Sequence, residues 1–260
     1  NRGGVGVMDL NTKEEDFITM FLSAHTHNDL LFFTDKGKAY QMKMYEIPEG
    51  KRATRGKSIM NFLSLSGEEK VTSILPVTKD AKGAALSLAM ITKQGVVKKV
   101  AAKGFADVRR SGLIAIKLAP GDELLSARLV GKGDTIVLAT AKGQSIRFKE
   151  ADVREMGRNA GGVRAMKLGK GDALIGADVV SATAESPELL VMSENGYGKK
   201  TPIKEYKAQK RGGSGIKTFK VTPKTGALMA AKVVTATDDE VVSISKKSQV
   251  PLIWWKVIRS

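Results

Sequence analysis

Apolar and polar residues alternate along this chain in short runs, interrupted at regular intervals by the same punctuation. An apolar run gives way to Thr or Ser, two polar residues and Gly. The copies are Leu31-Phe32-Phe33-Thr34-Asp35-Lys36-Gly37, Met90-Ile91-Thr92-Lys93-Gln94-Gly95, Leu138-Ala139-Thr140-Ala141-Lys142-Gly143 and Val191-Met192-Ser193-Glu194-Asn195-Gly196. A degraded copy, Ser243-Ile244-Ser245-Lys246-Lys247-Ser248, has Ser in the glycine place. The final positions are 58, 48, 53 and 52 residues apart. Thr or Ser starts a type I turn, and Gly takes the left-handed position from which a second strand resumes pairing. The residues that follow, as in Gln144-Ser145-Ile146-Arg147-Phe148, alternate with period two, so each copy predicts a β-hairpin.

A second marker recurs between the hairpins: a basic residue, a short spacer, Gly and an apolar strand. It reads Arg52-Ala53-Thr54-Arg55-Gly56-Lys57-Ser58-Ile59, Arg109-Arg110-Ser111-Gly112-Leu113-Ile114, Arg158-Asn159-Ala160-Gly161-Gly162-Val163 and Lys210-Arg211-Gly212-Gly213-Ser214-Gly215-Ile216. Asn1-Arg2-Gly3-Gly4-Val5-Gly6-Val7 is a further copy. Gly112, Lys117, Gly121, Asp122 and Leu124 recur 50 residues later as Gly162, Lys167, Gly171, Asp172 and Leu174. Repeats of this length, with short strands and no sustained helical spacing, predict an all-β fold of blades around an axis. The loops at 79–83, 181–187 and 235–240 separate repeats, so residues 1–260 are expected to form one domain.

Composition narrows the function. Apolar residues make up 42% of the chain, enough for a core, while aromatics supply only 5%. The longest apolar stretch, 84–91, is far too short for a membrane span, and no signal peptide is expected. With no cysteine, disulfides and thiolate metal sites are excluded. Forty-three Lys and Arg against 27 Asp and Glu give a formal charge of +16, which points to a polyanion without choosing among nucleic acid, ribosome and membrane surface. The basic residues run from Arg2 to Arg259, as expected of a folded surface and not of a basic tail.

A folded surface meets a polyanion through many distributed cationic contacts, and the repeats offer one cationic set each. The residue four after the turn glycine is Lys99, Arg147 and Lys200 in three copies, with Lys98 and Lys199 beside two of them. The markers add Arg2, Arg52, Arg55, Lys57, Arg109, Arg110, Arg158, Arg164, Lys210, Arg211 and Lys217. The turn glycines Gly37, Gly95, Gly143 and Gly196 are read as ordinary turn chemistry, and Asp122 and Asp172 as turn residues and not paired catalytic acids. His25 and His27 would share a strand face, yet they lack a third committed ligand, so no metal is expected. Trp254 and Trp255 read as packing residues, and no Ser-His-Asp set or phosphate-binding loop is present.

The marker at the start, Asn1, Arg2, Gly3, Gly4, Val5 and Gly6, resembles the gyrase A-box, a heptad of Gln, basic, Arg, Gly, Gly, basic, Gly. Asp16-Phe17-Ile18, Thr26-His27-Asn28-Asp29, Tyr45-Glu46-Ile47-Pro48, Met156-Gly157-Arg158-Asn159-Ala160 and Asn195-Gly196-Tyr197-Gly198-Lys199-Lys200-Thr201-Pro202 also look like the C-terminal domain of bacterial gyrase A subunits. Val5 stands where a basic residue is usual, Ser248 replaces a turn glycine, and the stretch 251–255 is apolar. The box copy at 209–215 is fuller than the first. The resemblance implies a six-bladed β-pinwheel whose neighbouring blades exchange strands, its first blade cut short by the start of this sequence. It further implies that a basic rim wraps double-stranded DNA, that the first box latches the ring, and that the catalytic core turns the wrap into negative supercoils. The implied partners are the gyrase A N-terminal core and the gyrase B subunit, and the implied location is the cytoplasm, with the nucleoid. The domain itself is expected to be monomeric and non-catalytic and to hold no cofactor, ATP and Mg belonging to the whole enzyme. Two alternatives stand beside this: a topoisomerase IV counterpart that binds DNA with little wrapping, and a propeller scaffold for an acidic protein partner.

Overall fold

Among the described residues, the regular structure is all β apart from short 3-10 turns. The computed structural model describes residues 20, 22–50, 56–78, 86–106 and 108–235, with the backbone of β1 (Val7–Met8) and β17 (Gln249–Val250). The first hairpin is β2 (Asp29–Thr34) with β3 (Lys38–Lys43), followed by β4 (Val71–Val77). The second is β5 (Ser87–Thr92) with β6 (Val96–Ala101), then β7 (Leu113–Ile114) and β8 (Leu124–Val130). The third is β9 (Thr135–Thr140) with β10 (Gln144–Lys149), then β11 (Val163–Arg164) and β12 (Leu174–Val180). The fourth is β13 (Glu188–Ser193) with β14 (Gly198–Pro202), then β15 (Ile216–Lys217) and β16 (Leu228–Val234). Each of these four hairpins lies where the turn motif predicts it. The degraded copy at 243–248 lies outside the described residues.

The strands assemble into blades by exchange between repeats. The sheet orders are β4-β2-β3-β7, β8-β5-β6-β11, β12-β9-β10-β15 and β16-β13-β14. In the first three, the short outer strand comes from the marker that follows the next hairpin. The register repeats: Leu113 pairs with Ala39, Val163 with Val97, and Ile216 with Ser145, always two residues past the turn glycine. β1 and β17 pair in the same way, with Val7 opposite Val250. Val250 lies two residues past Ser248. A backbone ladder therefore joins residues 7–8 to residues 249–250. Strand exchange between neighbours is the pinwheel form of the propeller, as the resemblance implies. The described residues contain four blades and this terminal pair, so the sixfold count is not read from them.

The central strands explain the hydrophobic pattern. β2, β5 and β9 are buried along their whole length, because β5 and β9 have a blade packed on both faces and β2 has a blade on one face and residues 59–65 on the other. In β5, Leu88 and Met90 join a core with Leu31 and Phe33 of the first blade. Ala89 and Ile91 point the other way, into a core with Ile136 and Leu138 of the third. Each large apolar side chain so buried contributes about 1.5–3 kcal/mol relative to exposure. The fourth blade continues the pattern through Val137, Leu189 and Val191. β4, β8, β12 and β16 contact one another in succession, which places them at the inner edge and the marker strands at the opposite, outer edge.

The marker at 52–59 departs from the pattern. Its described part leads from Gly56 into a 3-10 turn, Ile59–Asn61, in place of the expected strand. The markers at 109–114, 158–163 and 210–216 dock a strand on the hairpin one repeat back. Ile59, Phe62, Leu63 and Leu65 instead cover Leu30, Phe32 and Tyr40 on the outward face of the first blade.

Candidate nucleic-acid interface

The outer edge is assembled by a few backbone contacts that repeat. The carbonyls of three turn glycines each accept two successive amides from the marker strand that docks on them. These are Ala115 and Ile116 on Gly37 (2.8 and 3.2 Å), Ala165 and Met166 on Gly95 (2.7 and 3.2 Å), and Thr218 and Phe219 on Gly143 (2.8 and 3.2 Å). Successive markers then bond to one another: the Lys117 amide donates to Ala160 O (3.4 Å) and the Lys167 amide to Gly213 O (2.9 Å). Arg211 Nη1 reaches Arg164 O at 2.9 Å. The three basic markers thus form one continuous edge rather than separate patches.

Arg109, Arg158, Arg164, Lys210 and Lys217 are exposed on that edge. Arg110 is exposed and ion-paired with Glu46. Arg211 is partly buried, with Nε also donating to Asp152 O at 2.9 Å. Lys57 and Lys199 are exposed, while Lys200 is half-buried and paired with Glu188 at 2.6 Å. Arg2, Arg52, Arg55 and the box residues Asn1, Gly3, Gly4, Val5 and Gly6 lie outside the described residues.

The hairpin cations Lys98, Lys99 and Arg147 point inward, contrary to expectation. Lys98 is fully buried, and its ammonium donates to Ala115 O (2.8 Å) and to Arg158 O, so it props the marker segments from below. Burial, with the nearby Arg158 guanidinium adding to it, pulls Lys98 down to about 8. Lys99 is buried against Glu150 of the next blade. Arg147 braces the next blade through Ile203 O (3.3 Å) and Tyr206 O (3.2 Å), and burial lowers its pKa. Strand alternation determines which residues share a face, but a strand with a neighbour on both sides has no solvent face to offer.

The repeat phase also points to cations outside the candidate set. Lys117 and Lys167, 50 residues apart, occupy equivalent exposed places, and Lys220 lies equally far past its docked strand. Between residues 94–96, 117–122 and 161–168 the edge forms an open groove of ≈ 800 Å3 lined by Lys117, Arg164 and Lys167 with Leu118 and Leu168. Asp122 and Asp172 serve the turns, accepting the amides of Gln94 (3.0 Å) and Lys142 (3.1 Å). His25 and His27 are exposed and lie at a turn before β2, not on a strand face. Among the described residues no group of three or more His, Asp or Glu is placed to hold a metal.

These features define a strand-exchanging β-propeller with a continuous basic outer edge. The sequence matches the family described as DNA gyrase C-terminal domain, beta-propeller, over residues 1–22, 28–78, 87–130, 134–181 and 187–235, and the chain belongs to that family. It is similar to the DNA gyrase A subunit of Staphylococcus epidermidis, 40% identical over 242 residues covering 93% of this chain. It matches that of Staphylococcus aureus at 40% over 239 residues, 92% of this chain. The chain spans only about a quarter of those relatives, 27% of each. A solved gyrase A C-terminal domain is 29% identical, with a TM-score of 0.80, covering 95% of this chain and 79% of that one. The C-terminal domain of a DNA topoisomerase IV shares the fold at 23% identity and TM-score 0.74, covering 88% of this chain and 70% of that one.

Proposed function

We propose that this chain binds duplex DNA along its outer edge and bends it around the blades, supplying the wrapped segment that a gyrase core converts into negative supercoils. The supporting observation is the hydrogen-bonded succession of the three cationic markers. Phosphates are spaced regularly along a duplex, and a continuous row of Lys and Arg can meet them without reading bases. Bending 20–30 base pairs costs roughly 1–6 kcal/mol, which only many contacts acting together offset. The domain acts without chemistry of its own, and its partners in this reading are the N-terminal part of gyrase A and the gyrase B subunit, in the cytoplasm.

The sharpest test of binding is its dependence on salt. Each neutralised phosphate contributes a slope of about −0.9 in log K against log salt, so six or more contacts predict roughly a thousandfold loss between 50 and 200 mM. Titration of a random-sequence duplex by fluorescence anisotropy measures this. A slope near zero would leave the scaffold for an acidic protein as the better reading.

A further inference from the structure

The belt is not equally charged along its length. The second-repeat segment carries Arg109, Arg110 and Lys117, but Asp122 and Glu123 follow them. Arg110 is engaged by Glu46, and Glu123 by Lys93. The third-repeat segment carries Arg158, Arg164, Lys167 and Lys170, all exposed, with Asp172 as its acid before β12. The fourth carries Lys207, Lys210, Arg211, Lys217, Lys220 and Lys224, and no acidic residue stands between Glu205 and Asp238. Lys142, in the turn on which this segment docks, directs its ammonium to Lys170 O (2.6 Å) of the third-repeat segment. The nearest acid on the adjoining turn, Glu194, accepts the Ala227 amide at 3.0 Å.

The same gradient holds at one equivalent position. The second residue of the docked strand is Ile114 in the second repeat, Arg164 in the third and Lys217 in the fourth, and all three are exposed. The backbone register is the same in each case, so the site keeps its geometry and changes only in charge. Because counterion release scales with the phosphates neutralised, free energy of contact accumulates fastest where cations are densest and acids absent.

We infer that the belt has a direction: residues 207–224 are the anchoring seat for duplex DNA, and the second-repeat segment is engaged last, once the duplex has bent along the third. This rests on the DNA-binding reading above and adds to it an order of engagement. A duplex too short to follow the whole belt settles on the fourth repeat. Only a longer one, already held there, has the bending cost offset far enough to reach Arg109 and Lys117.

Two triple variants of the full chain test the inference: Lys217→Gln/Lys220→Gln/Lys224→Gln and Arg109→Gln/Arg110→Gln/Lys117→Gln. With a duplex of about 20 base pairs, the fourth-repeat set is expected to weaken binding more than about tenfold at 100 mM salt and to reduce the salt slope by about 3. The second-repeat set is expected to cost less than about threefold and less than one unit of slope. Thermal midpoints identify any set that perturbs folding. In that case Lys220→Gln and Lys117→Gln, single changes at equivalent exposed places, replace it and are expected to keep the same rank. Equal losses, or a larger loss from the second repeat, would overturn the inference while leaving DNA binding intact. No salt-dependent affinity in the unsubstituted chain would instead remove the DNA reading itself.

Discussion

Replacing Gly143 with alanine is expected to lower the thermal midpoint by roughly 6–12 °C, whereas the same change at Gly196 lowers it by roughly 2–4 °C. Both glycines close a hairpin turn in the left-handed region, at φ 84° and 79°. There a side chain costs about 1 kcal/mol in either turn, the lower end of the usual left-handed penalty. The surroundings differ. A Cβ at Gly143 would overlap Phe219 O, and at Gly196 it would meet no heavy atom within 4 Å. Alanine at 143 therefore has to push out the marker strand, weakening the Thr218 and Phe219 amide bonds to Gly143 O. Each such bond is worth about 1 kcal/mol, which brings the loss at Gly143 to about 3 kcal/mol. Thermal unfolding followed by circular dichroism measures both variants. Equal shifts would show that these glycines act through φ alone and that docking of one repeat on another adds nothing.

Acid should loosen the first blade through Glu69. Its carboxylate is buried and accepts hydrogen bonds from Lys38 Nζ (2.8 Å), Tyr40 Oη (2.9 Å) and Ser66 Oγ (3.0 Å). Burial pushes this carboxyl up, but the hydrogen bonds from Lys38, Tyr40 and Ser66 outweigh it and hold it at about 2, below an ordinary 4.5. A folded value below the unfolded one means stability that is complete above 4.5 and is lost as pH falls through about 2. The loss is expected to be about 2 kcal/mol, less than the full shift implies at 1.36 kcal/mol per unit, because the Lys38 partner is half-exposed and screened. Urea unfolding between pH 5 and 2 should therefore show a steeper decline for the native chain than for Glu69→Gln. Parallel curves would show that the Glu69 cluster does not carry the acid limb. The consequence reaches the DNA edge, since the Tyr40 ring held by Glu69 lies directly against Gly112 in the marker that carries Arg109 and Arg110.

The hairpins are readable in the sequence because their signal is local. Thr34 to Gly37 and its copies specify a turn within four residues, and all four described turn glycines have the expected positive φ. The docked strands are less readable, since Leu113–Ile114 and its equivalents are two residues long and their partners lie about seventy residues away. For the same reason the sequence shows Gly37, Gly95 and Gly143 only as turn glycines, although each also sits against the backbone of another repeat. Lys98, Lys99 and Arg147 mislead because a cation on a strand looks alike in sequence whether it faces water or bolts one blade to the next. The marker cations are easier to place, because a glycine-rich loop at the sheet edge has few alternatives to solvent.

Whether the chain bends DNA around its outside is read most directly in the topology of the DNA. A relaxed, nicked circle bound by the full chain and then sealed with ligase should retain positive writhe after the protein is removed. The increase in linking number is expected to grow with the amount of chain bound and to vanish at high salt. A linking number unchanged at saturating, salt-sensitive binding would contradict the account, leaving a domain that holds DNA without wrapping it.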